Sequence, residues 1–249
     1  MIMGYNGDSR VWFRQIPGLS QEYRVVAFDS RGNGRSDKPD VPYTMEIFAR
    51  DLAGLLNALS VDAAHIYGIS MGGMIAQEFA LRYPDRVISL ILGCTSCGGT
   101  HSIGFDEETV TFLLDMERME RLTPEEQSRE WLPFDFSRDF IDNNPDIVEQ
   151  YIAMRVECSP PLQSSMRQAE AIMLHDTYDR LPEIKAPTLV IAGAADRLIP
   201  VENSRILASR IPNAELVILE NMGHGFTGEA PEEANKAVLD FLGQHCRSR

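Results

Sequence analysis

The chain has 249 residues, of which 37 are acidic and 23 basic, giving a net charge of −14; 44% are hydrophobic and 24% charged. Those proportions suit one large soluble domain, or one domain carrying an insertion, and so negative a surface repels phosphate backbones and anionic lipid headgroups. Four cysteines are too few for a disulfide scaffold, and no apolar stretch approaches the ~20 residues that cross a bilayer, so the expectation is a cytoplasmic protein that binds neither nucleic acid nor membrane.

In chain order, residues 1–4 read as the end of a strand that runs into a Gly-rich turn, with neither the basic nor the apolar segment of a secretory signal. The sequence is thus expected to enter the fold partway along a strand, with residues ahead of Met1. Apolar runs follow at 24–29, 64–68, 87–94, 188–193 and 215–220. They are rich in β-branched residues and lack strict polar alternation, which suits strands buried on both faces of a parallel sheet. Between them, residues 44–59, 71–83, 202–210 and 231–245 carry apolar residues at helical spacing. Alternation of this kind predicts an α/β chain with a doubly wound, mostly parallel sheet.

The middle breaks that rhythm. Residues 98–181 show no convincing strand and several helix starts, among them Thr123-Pro124-Glu125-Glu126, Asn144-Pro145 and Ser159-Pro160-Pro161. The expected organisation is a core of residues 1–97 and 182–249 with a helical cap insertion at 98–181. Apolar and aromatic residues of the insertion (Phe105, Phe112, Met116, Trp131, Phe134, Tyr151) are expected mostly to pack the cap, a minority facing the site.

The chemistry centres on Gly68-Ile69-Ser70-Met71-Gly72, a G-x-S-x-G at a predicted strand–helix junction. A turn that tight presents Ser70 at the sheet's carboxyl edge, and side chains at Gly68 or Gly72 would collide with neighbouring backbone. The helix N-terminus behind it offers unpaired N–H groups for developing negative charge. A serine hydroxyl needs a base, and the base needs a carboxylate to orient it. Among five histidines, His224 lies between two glycines just past the last predicted strand, at the same edge as Ser70. His65 sits inside a strand, His101 and His175 belong to the insertion and its edge, and His245 is near the C-terminus. Asp196, just past the 188–193 strand, is the expected acid; Glu220 is the alternative.

Together with Phe28-Asp29-Ser30-Arg31-Gly32-Asn33-Gly34-Arg35-Ser36 and Asn221–Gly225, these segments resemble the α/β-hydrolase superfamily, in the cap-bearing group of 3-oxoadipate enol-lactonases, small carboxylesterases and cofactor-free haloperoxidases. The order Ser70, Asp196, His224 is that group's order. The resemblance implies an oxyanion hole from the backbone N–H groups of Tyr5 and Met71, no cofactor and no metal. Two departures stand out. Met3-Gly4 replaces the usual His-Gly, and Asn33 replaces a common histidine. In addition, the superfamily's first two strands have no counterpart, so the 24–28 edge is expected to be covered by a second copy of the chain or by residues outside it. The implied activity is hydrolysis of small, uncharged or weakly charged esters or lactones through an acyl-enzyme. C–C bond hydrolysis, perhydrolysis with the same three residues, or ligand reception without turnover are the alternatives. Cys94-Thr95-Ser96-Cys97 has no second pair to make a zinc site, so its cysteines are expected to be small core residues; Cys158 and Cys246 suggest no pairing. Asp29 and Arg31 are expected to fix their turn.

Overall fold

The apolar runs pair as parallel strands β1 (Ala64–Ile69), β2 (Val87–Gly93), β3 (Thr188–Gly193) and β4 (Ala214–Leu219), in the order β1-β2-β3-β4. The structure is a computed structural model that describes residues 1–245, and of Leu114, Met116, Glu120 and Cys158 the backbone only. The expectations for the Met116 side chain, Cys158 and Cys246 fall outside the described residues. Helices before β3 are α1 (Ile16–Leu19), α2 (Met45–Ala58), α3 (Met71–Arg82), α4 (Glu107–Leu114), α5 (Met116–Glu120), α6 (Pro124–Asp135), α7 (Arg138–Asn143), α8 (Pro145–Cys158) and α9 (Leu162–Met173). After it come α10 (Val201–Arg210), α11 (Phe226–Glu229) and α12 (Pro231–Gln244).

Alternate residues of each strand feed opposite faces. Leu90, Leu92 and Val190 pack with Phe48 and Leu52 of α2, Ile75 and Phe79 of α3 and Leu207 of α10. Ile91, Leu189 and Ile191 pack with Leu19, Phe226 and the α12 residues Val238 and Phe241. Burial on both faces is why these strands read as unbroken apolar runs.

Two expected strands are reduced to single bridges. Ile2 pairs in parallel with both Phe28 and Gly68, held by Ile2 N–H to Tyr67 O at 2.8 Å and Ile69 N–H to Ile2 O at 3.2 Å. Pairing stops there because the chain turns at Gly4, whose carbonyl accepts the Gly7 N–H at 3.2 Å. The order along the edge is therefore residue 28, residue 2, then β1. Val25–Phe28 is half-buried, and among the described residues no strand lies against its outer edge.

Between β2 and β3 the chain is helical from α4 to α9. Its two ends meet in an antiparallel bridge, Gly98 with Asp176, flanked by Gly99 N–H to His175 O and Thr177 N–H to Cys97 O, both 2.9 Å. Prolines announced the starts of α6, α8 and α9, whereas α4, α5 and α7 are capped by Asp106, Asp115 and Ser137. Thr123 and Glu126 form a complete capping box on α6, and Pro145 opens α8. Leu132, Phe136, Phe140, Val148, Tyr151 and Ile152 make a separate apolar cluster, and Phe112 packs its ring on Trp131 and Phe134 at 4.9 and 4.3 Å. Phe105, by contrast, is exposed. Among the described residues no helix is long and apolar enough to cross a membrane.

Candidate active site

Ser70 follows β1 and caps α3 with φ +55° and ψ −126°, a left-handed backbone that a non-glycine residue rarely adopts. The turn is held from three sides. Ser70 N–H donates to Gly93 O at 2.9 Å, Gly73 N–H donates to Ser70 O at 2.9 Å, and Thr95 Oγ1 donates to the same carbonyl at 2.8 Å. The flanking glycines are sterically required. A Cβ on Gly68 would lie 2.1 Å from Gly72 O, and one on Gly72 2.2 Å from Ile2 O.

At the ends of β3 and β4, Asp196 and His224 meet, with Asp196 Oδ2 2.8 Å from His224 Nδ1. Asp196 is held rigidly, since its Oδ1 accepts the N–H groups of Leu198 and Ile199 at 2.9 and 2.8 Å. With Nδ1 turned to the carboxylate, Nε2 is the ring nitrogen left for chemistry. The His224 side chain is only 13% exposed. Burial alone would depress the imidazole's pKa, but the Asp196 carboxylate and the neighbouring Cys94 sulfur outweigh it and hold it well above the ordinary 6.5.

The other histidines lie elsewhere. His65 Nδ1 lies 2.7 Å from Ser89 Oγ, inside the sheet. His175 is buried, which pushes its pKa down to about 4. His101 stacks on Tyr178 at 3.7 Å between centroids, and His245 is 3.9 Å from Glu215. Glu220 is exposed. Asp29 and Arg31 brace their turn. Asp29 accepts the N–H groups of Ser9 and Arg35, both at 2.9 Å, and Arg31 grips Asp51 at 2.5 and 2.6 Å.

The N–H of Met71, at the first position of α3, has no intrahelical acceptor. Among the described residues the Tyr5 N–H likewise meets no acceptor. Gly4 lies against the Ser70 turn, where a Cβ would come within 3.2 Å of Ser70 Oγ. The turn that carries Tyr5 is therefore beside the serine.

Three groups at the site carried no sequence signal. Cys94, buried and at φ +37°, brings its sulfur within 4.8 Å of both the Asp196 carboxylate and the His224 ring nitrogen, the one such group of metal-ligand atoms among the described residues. Glu229 holds the His224 loop. Its Oε1 accepts Gly223 N–H at 2.7 Å, and its Oε2 accepts Ser137 N–H at 3.1 Å and the Ser137 hydroxyl. Gln168 of α9 reaches in from the insertion to Asn6 and Asn33. Contacts of this kind join residues remote in the chain, and spacing does not reveal them.

The family model described as the alpha/beta hydrolase fold matches residues 1–231. A relative from Stutzerimonas stutzeri (strain A1501), provisionally named the carbamate hydrolase RutD, is 30% identical over 246 residues, 98% of this chain and 90% of that protein. Among solved structures, a thermophilic esterase from Thermogutta terrifontis, with malate bound, superposes with a TM-score of 0.84 at 31% identity, over 98% of this chain and 89% of its own. An enol-lactonase from Burkholderia xenovorans LB400 gives 0.84 at 28% identity, over 97% and 89%.

Proposed function

The chain belongs to the α/β-hydrolase fold family, and from that premise we propose that it is a serine hydrolase that cleaves small carboxylic esters or lactones through an acyl-enzyme. The observation that carries this reading is the 2.8 Å Asp196–His224 pair at the sheet edge where Ser70 stands on its strained elbow. In the proposed reaction His224 takes the proton of Ser70 as the hydroxyl attacks the carbonyl carbon. The N–H groups of Tyr5 and Met71 receive the charge that develops on the oxygen. His224 then protonates the leaving alcohol and activates water to release the acid. Asp196 keeps the imidazole oriented and stabilises its cation.

An uncharged substrate is favoured by the insertion's cations. Residues 98–181 contain no lysine, and Arg118, Arg121, Arg129, Arg138, Arg155, Arg167 and Arg180 are each ion-paired with a carboxylate. No such arginine is left over for a substrate carboxylate. The likeness to RutD favours a second reading, carbamate hydrolysis, which the same residues would perform on a carbonyl bearing nitrogen.

A panel of p-nitrophenyl esters of graded acyl length, set beside a p-nitrophenyl carbamate, separates the two readings. Faster turnover of the short esters supports the first, and faster turnover of the carbamate supports the second. Ser70→Ala is expected to lose about 10³-fold or more in kcat and all labelling by a fluorophosphonate. Retained turnover or labelling would reject Ser70 as nucleophile.

A further inference from the structure

The buried face of α9 carries Ser164, Gln168 and Ala171, and Gln168, on the insertion, is completely buried against the Gly-rich turns of the core. Its amide pairs with that of Asn33, itself fully buried. Gln168 Nε2 donates to Asn33 Oδ1 at 2.8 Å, and Asn33 Nδ2 donates to Gln168 Oε1 at 3.3 Å. Both members of the pair also hold the turn beside Ser70. The Asn6 N–H donates to Gln168 Oε1 at 3.1 Å, and Asn33 Nδ2 donates to Gly7 O at 3.0 Å.

Asn6 sits at φ +56°, a left-handed conformation that asparagine adopts more readily than most L-residues. The Asn6 N–H is anchored by the Gln168 carbonyl, and the peptide immediately before it is the one whose N–H belongs to Tyr5. We propose that Gln168 is a positioning residue for the oxyanion hole. It fastens α9 to Asn6 and Asn33, so that the seating of the cap sets the direction of the Tyr5 N–H. The proposal rests on the serine-hydrolase reading above. It also accounts for Asn33, where the superfamily commonly has histidine: a carboxamide offers a donor and an acceptor on one planar group, which a reciprocal pair with glutamine needs.

The test compares Gln168→Met, which fills the space without hydrogen bonds, with Gln168→Glu, which keeps the acceptor for Asn6. Purified full-length variants are assayed with p-nitrophenyl acetate and titrated with two inhibitors. One is a trifluoromethyl ketone, which adds to Ser70 and generates an oxyanion. The other is its non-fluorinated ketone, which binds without adding. Displacing an oxyanion donor by a fraction of an ångström costs on the order of 10- to 100-fold. Gln168→Met is therefore expected to lose that factor in kcat with KM unchanged, and to lose a matching factor in affinity for the trifluoromethyl ketone alone. Gln168→Glu should recover most of the loss.

A loss confined to KM, or equal weakening of both ketones, would make Gln168 a packing residue and overturn the proposal, as would unchanged kcat. If Gln168→Met does not fold, Asn33→Ala breaks the same pair from the core side and is read by the same criteria. Ser70→Ala in the same assay keeps the two readings apart. Turnover that survives it overturns the nucleophile assignment, whereas an inactive Ser70→Ala beside an unimpaired Gln168→Met overturns only the latch.

Discussion

His224 experiences two opposing influences, burial that disfavours its charged form and an Asp196 carboxylate that favours it, and the carboxylate prevails. In the proposed reaction the base must be neutral to accept the serine proton, so activity is expected to fall as pH drops through the raised pKa. The acidic limb of kcat/KM against pH is expected to centre above 6.5, and Asp196→Asn should move it downward as well as lowering kcat. A limb at or below 6.5 in the unmodified enzyme would show that Asp196 does not act on His224 in solution. Stability runs the other way. A group whose folded pKa is raised contributes fully below its unfolded pKa, and that contribution disappears as pH rises through the folded value. The Tm advantage of the native chain over His224→Gln should therefore be larger at pH 6 than at pH 9. The placement of Ser70, Asp196 and His224 past the ends of β1, β3 and β4 was legible because each follows an apolar run. Cys94 was not, since a thiol in an apolar run looks the same whether it faces a core or an imidazole.

Strands and helices were readable to within a residue or two where the chain is buried on both faces or carries an explicit start. The 188–193 strand and the Pro124 helix are examples. Residues 1–4 and 24–28 were over-read as strands, because an apolar run does not reveal that its neighbour turns away after one pair. The α11 segment shows what else composition hides. Glu229 reaches back to Gly223 and across to Ser137, so one carboxylate joins the histidine loop to the insertion. Glu229→Ala would leave both N–H groups without their acceptor. It is expected to cost about 2–3 kcal/mol, measured by urea unfolding, and to lower kcat through a looser His224. Glu229→Gln retains one acceptor and should be milder. Equal stability of Glu229→Ala and the native chain would remove this residue from the account.

Across the whole molecule, the sheet and its crossovers were apparent from strand–helix alternation, and the helices of 98–181 from its interruption; the fastening of one part to another was not. Glu78 illustrates such a fastening. Buried on α3, it accepts from Arg180 at 2.8 and 3.3 Å and from Arg82 at 2.5 Å, tying the core to the chain that leaves the insertion. Burial would raise its pKa, but the two guanidiniums outweigh that and lower it. Its stabilisation is thus present at neutral pH and is lost as pH falls through the depressed value. Glu78→Gln should melt below the native chain at pH 7, the gap closing once pH drops under 4.5; a gap independent of pH would refute the ionic explanation. The bridge between Gly98 and Asp176 has a wider consequence. Because the departing and returning chain run side by side, everything between them can be exchanged as a cassette without re-routing a single strand. A lineage could therefore trade one set of inserted helices for another while the strands stayed in place, provided each newcomer brought its own partners for Asn33 and Glu229.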